Sequence, residues 1–438
     1  MFRQLALASS DGGVNKEVPG RIALNVTGNE REDHMGAVAG RADVIVVGGG
    51  VNGCSIAYRL AEAGRKVLLL EQRGIASGAS GRNGGMTGAG SAMFSEADRA
   101  VYALTMANLE MIKELPEELE VDFDLRLPGT MDVATSEAMY EHILASTTAQ
   151  RAAGMDVRML DRKEAQELMP ALGDNILGAE FAPGRGHLWP FALVHGFAAA
   201  ARRHGTEIRT GVTVTEVISE GDRARGVIAN GERIEADDVV LATNAYTPRI
   251  LPDLPAGAIV PARGQILVTQ QLPPIIPHPF GNNFDKEYGR QTPSGQVLCG
   301  GYRRLDDDEG LGLYEERTTP PVLSGIARCL TSLFPSLKEV KVVRAWAGIM
   351  GFTADGLPLI GRYDALPGLT LAAGFNGGGF SWGAITGKVI ARLLTDQDPG
   401  FDLTPFIPTR FHGGVTSWNN PFTAGEKSNE KGTVAAPA

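Results

Sequence analysis

Three glycines near the start of the chain, Gly48, Gly50 and Gly53, are spaced as G-x-G-x-x-G. In such a turn the first glycine permits a tight bend, the second lets the backbone approach a pyrophosphate, and the third lets a helix pack closely. The N–H groups and the positive dipole end of that helix would face the phosphates. The turn, including Val51 and Asn52, is therefore predicted to bind the pyrophosphate of a dinucleotide cofactor.

The segments on either side of this turn predict the strand–helix–strand unit that would position it. Residues 43–47 contain four consecutive β-branched residues, as in a strand that is buried on both faces of a parallel sheet. Residues 54–63 have the spacing of a helix, and residues 66–71 form a second buried strand. That strand ends at Glu71, followed by Gln72, about where an acid would bind the ribose hydroxyls of the cofactor. These features do not separate NAD from FAD.

A glycine-rich segment, residues 78–86, follows the second strand and favours FAD. It contains too many glycines for an α-helix. Its donors would wrap the pyrophosphate from the far side and bring the backbone against a flat ring. The alternative is a flexible surface loop. The candidate cofactor contacts in and beside this segment are Ser77, Ser80, Arg82, Asn83, Gly84, Gly85 and Met86.

Residues 242–246 end a further buried strand in mostly small residues. Such residues would let the backbone at Thr243 and Asn244 pass close to a cofactor, and the alternative is a tight strand end without that role. Val214, in the alternating segment 212–217, is another candidate cofactor contact.

A second glycine-rich loop, residues 374–383, leads into a helix near the C-terminus. The N-terminus of that helix would stabilise the negative charge that a reduced flavin gains at its pyrimidine end. A nicotinamide enzyme has no need of this element, and the alternative is a glycine-rich connection. The candidate contacts here are Gly377, Gly378, Gly379, Phe380 and Ser381. Together with the loop after Glu71, this loop makes FAD the expected cofactor.

The composition argues against several classes of function. A net charge of −10 over 438 residues is unfavourable for a nucleic-acid partner. Three cysteines without a C-x-x-C spacing argue against a disulfide framework or a zinc site, so no metal is expected and a reducing, cytoplasmic location is predicted. No apolar run approaches the roughly 20 residues that a membrane helix needs.

The order of the predicted elements indicates an α/β fold. It combines a Rossmann-type FAD-binding domain with an inserted, mainly antiparallel β (α+β) substrate domain. A chain of this length exceeds what one hydrophobic core usually supports. The predicted division is a flexible N-terminal extension at 1–40, an FAD-binding domain at 41–125, 196–258 and 341–396, a substrate domain at 126–195 and 259–340, and a C-terminal tail at 397–438.

Over about residues 41–396, the sequence resembles the FAD-dependent D-amino-acid oxidase superfamily, which includes glycine oxidase, sarcosine oxidase and the γ-glutamylputrescine oxidase type. The family's motifs occur in the family's order: the glycine turn, Glu71, residues 78–85, 242–246, 346–348, 355–361 and the final glycine loop. Residues 78–85 and 346–353 look closest to the γ-glutamylputrescine oxidase type. The resemblance implies oxidation of a C–N bond by hydride transfer to flavin N5. The resulting imine would hydrolyse to an oxo product and an amine, and O2 or another acceptor would reoxidise the flavin.

Three departures from the family's patterns carry information. Glycine-oxidase-like members bind the substrate carboxylate with an arginine where Met350 stands here. Sarcosine-oxidase-like members have a lysine beside the flavin, and Cys299 aligns loosely with it. Relatives with covalent flavin use a cysteine, which is absent near Trp346, or a histidine roughly where Arg82 stands. FAD is therefore expected to be bound non-covalently.

Candidate substrate residues follow from the chemistry that the resemblance implies. A dry aromatic wall would lower the pKa of the substrate amine by disfavouring its charge. The aromatic candidates are Tyr288, Trp346 and Phe375. A substrate carboxylate would pair with an arginine. The arginine candidates are Arg290, Arg303 and Arg344. His187 and His195 are expected to be structural.

The leading hypothesis is oxidation of a secondary amine or amino acid, such as an N-alkylglycine or an iminodiacetate-like compound. The runner-up is oxidation of a primary amine of the γ-glutamylputrescine type. Two other classes stay open, a flavin subunit of a larger complex and a nicotinamide-dependent dehydrogenase. A yellow purified protein would exclude the last, and hydrogen peroxide release by the isolated chain would exclude the subunit.

Overall fold

The structure is a computed structural model that describes residues 41–88, 96–282 and 286–418. The predicted extension, residues 1–40, and the tail from residue 419 onward lie outside the described residues. Within the described ranges, no helix is long and apolar enough to cross a membrane.

Helices and strands alternate along much of the described chain. The helices are α1 (Val51–Glu62), α2 (Glu96–Leu119), α3 (Glu137–Ala152), α4 (Arg162–Leu168), α5 (Pro190–Arg203), α6 (Thr247–Ile250), α7 (Pro320–Leu333) and α8 (Gly383–Leu394). The strands are β1 (Ala42–Val47), β2 (Val67–Glu71), β3 (Met86–Thr87), β4 (Thr130–Ala134), β5 (Arg158–Asp161), β6 (Gly178–Ala182), β7 (Gly186–His187), β8 (Glu207–Thr210), β9 (Val214–Glu220), β10 (Arg223–Ala229), β11 (Glu232–Leu241), β12 (Ile259–Gln271), β13 (Phe280–Asn282), β14 (Glu287–Gln291), β15 (Gln296–Gly300), β16 (Val342–Thr353), β17 (Leu359–Arg362) and β18 (Leu369–Ala373).

The first sheet has the strand order β17, β18, β11, β1, β2 and β8, and β10 and β9 extend it from β11. β1 pairs in parallel with β2 and β11, and β18 joins β11 in parallel. Val44 and Val46 face a layer formed by α1, α5 and α8, whereas Ile45 and Val47 belong to a second core that includes β10 and β12. Both faces of β1 are therefore buried, which explains its uninterrupted β-branched sequence.

The second sheet has the order β16, β12, β15, β14, β13, β4, β6 and β5. Its pairs are antiparallel except for β13 with β4. Helix α7 packs on β12 and β15, and α3 packs on β4 and β6. The combination of a largely parallel sheet and a mainly antiparallel sheet confirms the predicted fold class.

Two segments make contacts that the predicted division of the chain does not describe. β16 was assigned to the FAD-binding domain but pairs with β12 along its length in the second sheet. Residues 397–418 are packed: Phe406 is fully buried against Trp382, and Arg410 forms an ion pair with Asp355. The division into domains itself stays a prediction.

Candidate active site

A cavity of about 380 Å³ lies at the carboxyl ends of β1, β2 and β11, where open parallel sheets bind ligands. Its walls come from parts of the chain that are far apart in sequence, from Val47 to Ser381. Residues of β12, β14 and β16 in the second sheet form the opposite wall. The cavity therefore lies between the two sheets.

The glycine turn brings α1 unusually close to β1. Gly48 has a φ of 112°, a conformation that favours glycine. A Cβ atom at Gly53 would overlap the carbonyl oxygen of Gly48. The helix begins at Val51 rather than at the predicted Cys54, so the third glycine lies inside its first turn. The spacing of the motif is thus explained by backbone packing.

Glu71 is held at the edge of the cavity by backbone donors. Its carboxylate accepts hydrogen bonds from the backbone N–H of Gly49 at 2.7 Å and of Arg73 at 2.8 Å. Each carboxylate oxygen retains acceptor capacity for a ligand hydroxyl. This geometry suits the ribose-binding role predicted for Glu71.

The N-terminus of α1 faces the cavity. Gly50 precedes the helix without a side-chain cap, and the N–H of Val51 donates to Ser80 Oγ at 2.9 Å. Asn52 Nδ2 donates to the carbonyl of Gly379 at 3.3 Å. The Oδ1 atom of Asn52 is buried and has no hydrogen-bond partner among the described residues. A polar ligand in the cavity would satisfy this acceptor and the helix terminus.

The segment after β2 folds into a short 3-10 turn, Ala79–Gly81, and is braced from within. Asn83 Nδ2 donates to the carbonyl of Ser80 at 2.7 Å, and Asn83 Oδ1 accepts from the N–H of Gly85 at 2.6 Å. These bonds hold Gly84 against the cavity, and a Cβ atom there would lie 2.9 Å from the ring of Tyr288. The segment is thus a fixed wall of the cavity and not the flexible surface loop that was the alternative.

Arg82 anchors this wall to the second sheet. Its Nη1 atom donates to the carbonyl of Ala347 at 2.7 Å, and its Nη2 atom lies 2.8 Å from the carboxylate of Glu316. Trp346 Nε1 donates to the backbone carbonyl of Arg82 at 3.0 Å. Trp346 therefore packs behind Arg82 and does not line the cavity.

Asn244 joins the end of β11 to the loop after β18. Its backbone has a φ of 46°, and its Oδ1 atom accepts from the N–H groups of Gly374 at 3.0 Å and Phe375 at 3.2 Å. Asn376 Oδ1 in turn accepts from the N–H of Thr353 at 2.9 Å. The two asparagines fix the final glycine loop between the sheets.

A short 3-10 turn after β15, Arg303–Leu305, places a cation on the cavity wall. Arg303 Nη2 lies 3.1 Å from the sulfur of Met350, and its guanidinium lies 5.1 Å from the ring centroid of Phe352. Burial lowers the pKa of Arg303 to about 10, so it stays charged at neutral pH. Burial raises the pKa of Tyr288 to about 12, so its phenol stays neutral. This end of the cavity offers a charged donor to an anionic group.

Most of the predicted cofactor residues are brought together. Those that line the cavity are Gly48, Gly50, Val51, Asn52, Glu71, Gln72, Ser80, Arg82, Asn83, Gly84, Met86, Val214, Thr243, Asn244, Gly377, Gly378, Gly379, Phe380 and Ser381. Gly53, Ser77 and Gly85 do not line it. Gly53 packs on Gly48, Ser77 Oγ accepts from the N–H of Gly74, and Gly85 bonds to Asn83. Those three residues shape the walls from behind.

The candidate substrate residues divide into two groups. The members that line the cavity are Tyr288, Arg303 and Phe375. Arg290 and Trp346 do not line it, and Arg344 is exposed beside the Trp346 ring. Cys299 is fully buried next to the Cys329 thiol, away from the cavity. It does not take the position beside the cofactor that the loose alignment suggested.

Several lining residues were missed by sequence reasoning. They are Gly264 and Ile266 on β12, Ile349 on β16, and Val212, Tyr246 and Ile250 near the first sheet. β12 lies within a proline-rich stretch that was not predicted to be a strand. No local signal assigns Gly264 and Ile266 to the cavity, because their position depends on the pairing of β12 with β16.

Comparison with known proteins identifies the family. The sequence matches the family model described as FAD dependent oxidoreductase over residues 43–393, most of the chain. The chain is a member of this family. It is similar to glycine oxidase of Geobacillus kaustophilus (strain HTA426), with 28% identity over 380 residues that cover 86% of this chain and 98% of the relative. The crystal structure of glycine oxidase from Geobacillus kaustophilus has a TM-score of 0.76 at 26% identity, and the match covers 84% and 99% of the two chains.

Two further relatives of this FAD-dependent oxidoreductase are named for substrates other than glycine. Gamma-glutamylputrescine oxidoreductase of Escherichia coli (strain K12) is 29% identical over 408 residues, covering 87% of this chain and 90% of the relative. Sarcosine oxidase subunit beta of Arthrobacter sp is 27% identical over 383 residues, covering 85% and 91%. The relatives thus include enzymes named for amine and amino-acid oxidation, and the predicted FAD cofactor is confirmed.

The cavity of the FAD-dependent oxidoreductase fits this cofactor. The helix terminus at Val51 and the orphaned Asn52 Oδ1 atom offer polar partners, and Glu71 offers acceptors to ribose. The absence of a Cβ at Gly48 and Gly53 permits the close turn. The individual contacts, and non-covalent attachment, stay predictions.

A buried ion pair holds the loop that carries Arg303. Arg263 is fully buried, and its Nε and Nη2 atoms each donate to Asp306 at 2.8 Å. Gln265 Nε2 also donates to Asp306, at 3.1 Å, and to Thr319 Oγ1 at 3.0 Å. Because Asp306 follows Arg303 by three positions, this network fixes the loop on β12.

Replacing Asp306 with alanine is expected to lower the free energy of unfolding by about 3–5 kcal/mol, since it leaves the Arg263 charge buried. The remaining carboxylate, Glu315, lies 3.5 Å from Arg263 Nη1 and is 59% exposed. Urea unfolding of the FAD-loaded enzyme measures the change. The matched control is Asp307→Ala, because Asp307 is exposed. Equal losses in the two variants would contradict a special role for the pair.

Proposed function

We propose that the enzyme oxidises the C–N bond of a secondary amine or amino acid that carries a carboxylate, such as an N-alkylglycine or an iminodiacetate-like compound. The single observation that carries this proposal is Arg303, whose charged guanidinium lines the cavity opposite the glycine turn. Its surroundings include Met350 and Phe352, so water would not compete strongly for the charge. A guanidinium in such a place suits bidentate binding of a carboxylate.

The other lining residues would orient and desolvate the amine. Ile266, Met350 and Phe375 present apolar surface on the cavity wall. Apolar surroundings disfavour the ammonium form, so they lower the pKa of the bound amine and expose its lone pair. Bound FAD supplies the redox chemistry by accepting a hydride from the substrate carbon. Hydrolysis of the imine product would give an oxo compound and an amine.

A primary amine of the γ-glutamylputrescine type is the second candidate. Met350 favours it, because this apolar residue stands where glycine-oxidase-like sequences have their carboxylate-binding arginine. The similarity to the Escherichia coli gamma-glutamylputrescine oxidoreductase also supports it. In such a substrate the carboxylate is far from the reacting carbon, so Arg303 would bind it at a greater distance from the amine.

Anaerobic reduction of the bound FAD distinguishes these candidates. The FAD-loaded enzyme is mixed with N-methylglycine, iminodiacetate or γ-glutamylputrescine, and with N-methylethylamine as a partner that lacks the carboxylate. We expect the amino acids to bleach the flavin absorbance and N-methylethylamine to do so at least about 100-fold less efficiently, since it lacks the charge-assisted pair. Failure of every amine and amino acid to bleach the flavin would remove the proposal.

The same samples test whether the chain acts alone. If a substrate bleaches the flavin anaerobically but the same mixture releases no hydrogen peroxide when air is admitted, the flavin is reoxidised by another electron acceptor, as in a flavin subunit of a larger complex. Release of peroxide indicates an oxidase. A cytoplasmic location stays a prediction from the sequence.

A further inference from the structure

A second cavity, of about 340 Å³, lies beside β14 and shares no lining residue with the cofactor cavity. Its walls come from β14, from the proline-rich segment before β13, and from the chain just before β4. The lining residues that matter most are Arg126, Leu127, His187, Ile276, Pro277 and Arg290. The FAD-binding function described above does not use this cavity.

Arg290 forms the floor of the second cavity and is only 6% exposed. It donates from Nε to the carbonyl of Gly84 at 2.6 Å, from Nη2 to the carbonyl of Leu188 at 3.3 Å, and from Nη1 to His187 Nδ1 at 3.2 Å. Burial and the Arg290 charge lower the pKa of His187 to about 4, so the ring is neutral at neutral pH. All three acceptors are therefore uncharged. A buried guanidinium without a carboxylate is costly unless an anion joins it.

The charges around the second cavity leave an excess of one cation. Arg126 lines the cavity and pairs through Nε with Asp124 at 2.8 Å. Asp124 offsets one of the two guanidinium charges and does not line the cavity. Among the described residues, none of the lining side chains is Asp or Glu. The lining of the second cavity, together with Asp124, therefore has a net charge of one positive unit.

The remaining walls are apolar. Leu127, Pro128, Ile276, Pro277 and Pro279 surround the space above Arg290. Gln291 holds the proline-rich wall in place. Its side-chain amide oxygen, Oε1, accepts hydrogen bonds from the N–H groups of Ile275 at 2.8 Å and Ile276 at 3.0 Å. A ligand that matches these walls has one anionic head and a compact apolar body. Sulfate and phosphate lack the body, and a dicarboxylate brings two negative charges to a site where Arg126, Arg290 and Asp124 leave an excess of one positive charge.

We propose that the second cavity binds a monocarboxylate with a small apolar body, whose carboxylate pairs with Arg290 and Arg126. A bound ligand would affect the cofactor cavity through Arg290. This residue also donates a hydrogen bond to the carbonyl of Gly84, and Gly84 lines the cofactor cavity. Occupancy is therefore expected to shift the absorption bands of the bound flavin. The site is distinct from the substrate site, and its existence does not depend on which amine is oxidised.

Equilibrium dialysis of radiolabelled isovalerate tests the site on FAD-loaded enzyme that carries Arg303→Met. This background removes the guanidinium that is proposed to bind a carboxylate in the cofactor cavity, so binding through Arg303 does not obscure the result. We expect one isovalerate per chain, and no binding of isovaleramide, which has the same body without charge. Adding Arg126→Gln is expected to weaken binding about tenfold through loss of a charge-assisted contact. Lys163→Gln, which removes an exposed charge on α4, is the matched control and should leave binding unchanged.

Leu127→Trp provides a second test that leaves both arginines in place. The larger side chain fills the second cavity, so it is expected to abolish isovalerate binding and the accompanying shift of the flavin bands. Absence of binding in the Arg303→Met enzyme would overturn the proposal, as would binding that neither Arg126→Gln nor Leu127→Trp alters. A further isovalerate that binds only when Arg303 is present would occupy the cofactor cavity and would test the proposed function. The proposal for the second cavity and the proposed function can therefore be contradicted independently of each other.

Discussion

Purified enzyme with alanine in place of Gly53 is expected to contain little or no FAD. The added Cβ atom would overlap the backbone carbonyl oxygen of Gly48, and neither backbone atom is free to move without shifting β1 or α1. Overpacking of this kind costs about 1–3 kcal/mol, and here it would also displace the helix N-terminus that is predicted to face the pyrophosphate. We expect FAD to bind at least about 100-fold more weakly, equivalent to ~2.7 kcal/mol.

Titration of the apoprotein with FAD, followed by flavin fluorescence, measures this change. Gly413→Ala is the control, since a Cβ atom there meets no atom within 4 Å. Circular dichroism shows whether the Gly53 variant keeps its secondary structure. A Gly53→Ala enzyme that binds FAD as tightly as the parent would show that the turn is not under the packing constraint described.

Replacement of Arg303 with methionine is expected to raise the KM for a carboxylate-bearing substrate about 100-fold, because a desolvated charge pair is lost. The side chain is replaced by one of similar length that cannot donate a hydrogen bond. The glycine turn and the loops predicted to bind FAD are not altered, so kcat should fall much less than kcat/KM. Steady-state kinetics with N-methylglycine or iminodiacetate provide the measurement, and the expectation rests on the proposed substrate class.

Arg304→Met is the matched control for this variant. Arg304 is the next residue in the chain, and its side chain is exposed, 5.6 Å from the Tyr302 ring centroid. Removing its charge should leave the KM within about twofold of the parent, as is usual for an exposed charge. An unchanged KM in Arg303→Met would remove Arg303 from carboxylate binding. A rise of equal size for a substrate without a carboxylate would indicate a general defect of the cavity.

The cofactor side of the cavity was predictable because its signals are local. The G-x-G-x-x-G turn and Glu71 are close in sequence, and their roles follow from backbone geometry that only glycine permits. Even the loops 78–86 and 374–383, which are distant in sequence, could be recognised by their composition. Their exact contacts could not, because Asn244 bonds to backbone groups of a segment 130 positions away.

The substrate side was less predictable because other segments cross the sheet face. Tyr288 and Arg290 are two positions apart on β14, and strand geometry alone would place both side chains on the same face of the sheet. The structure places the Gly84–Gly85 backbone between them, and Arg290 bonds to Gly84 from beyond it. Trp346 pairs with the cavity-lining Ile266, but it is covered by Arg82. Alternation along a strand predicts which face of the sheet a side chain lies on. It does not predict which other segments of the chain cover that face.

β12 was missed for a different reason. Pro261 lies inside this strand, opposite Gly351, and prolines are unfavourable within a sheet because they lack the N–H donor. The strand nevertheless extends over 13 residues, and β16 covers it on one side. Gly264 and Ile266 could not be assigned to the cavity without this pairing.

The bonds from Asn244 to Gly374 and Phe375 have a consequence for biosynthesis. At translation rates of about 5–20 residues per second, the partners of Asn244 emerge roughly ten seconds after it. During that interval the edge of β11 at Val239–Leu241, where β18 later pairs, is open on the growing chain. An open edge of buried residues invites pairing with other chains. Because the last glycine loop is predicted to contact FAD, we expect FAD to be loaded only after this loop has been synthesised, and the edge of β11 to be open to aggregation until then.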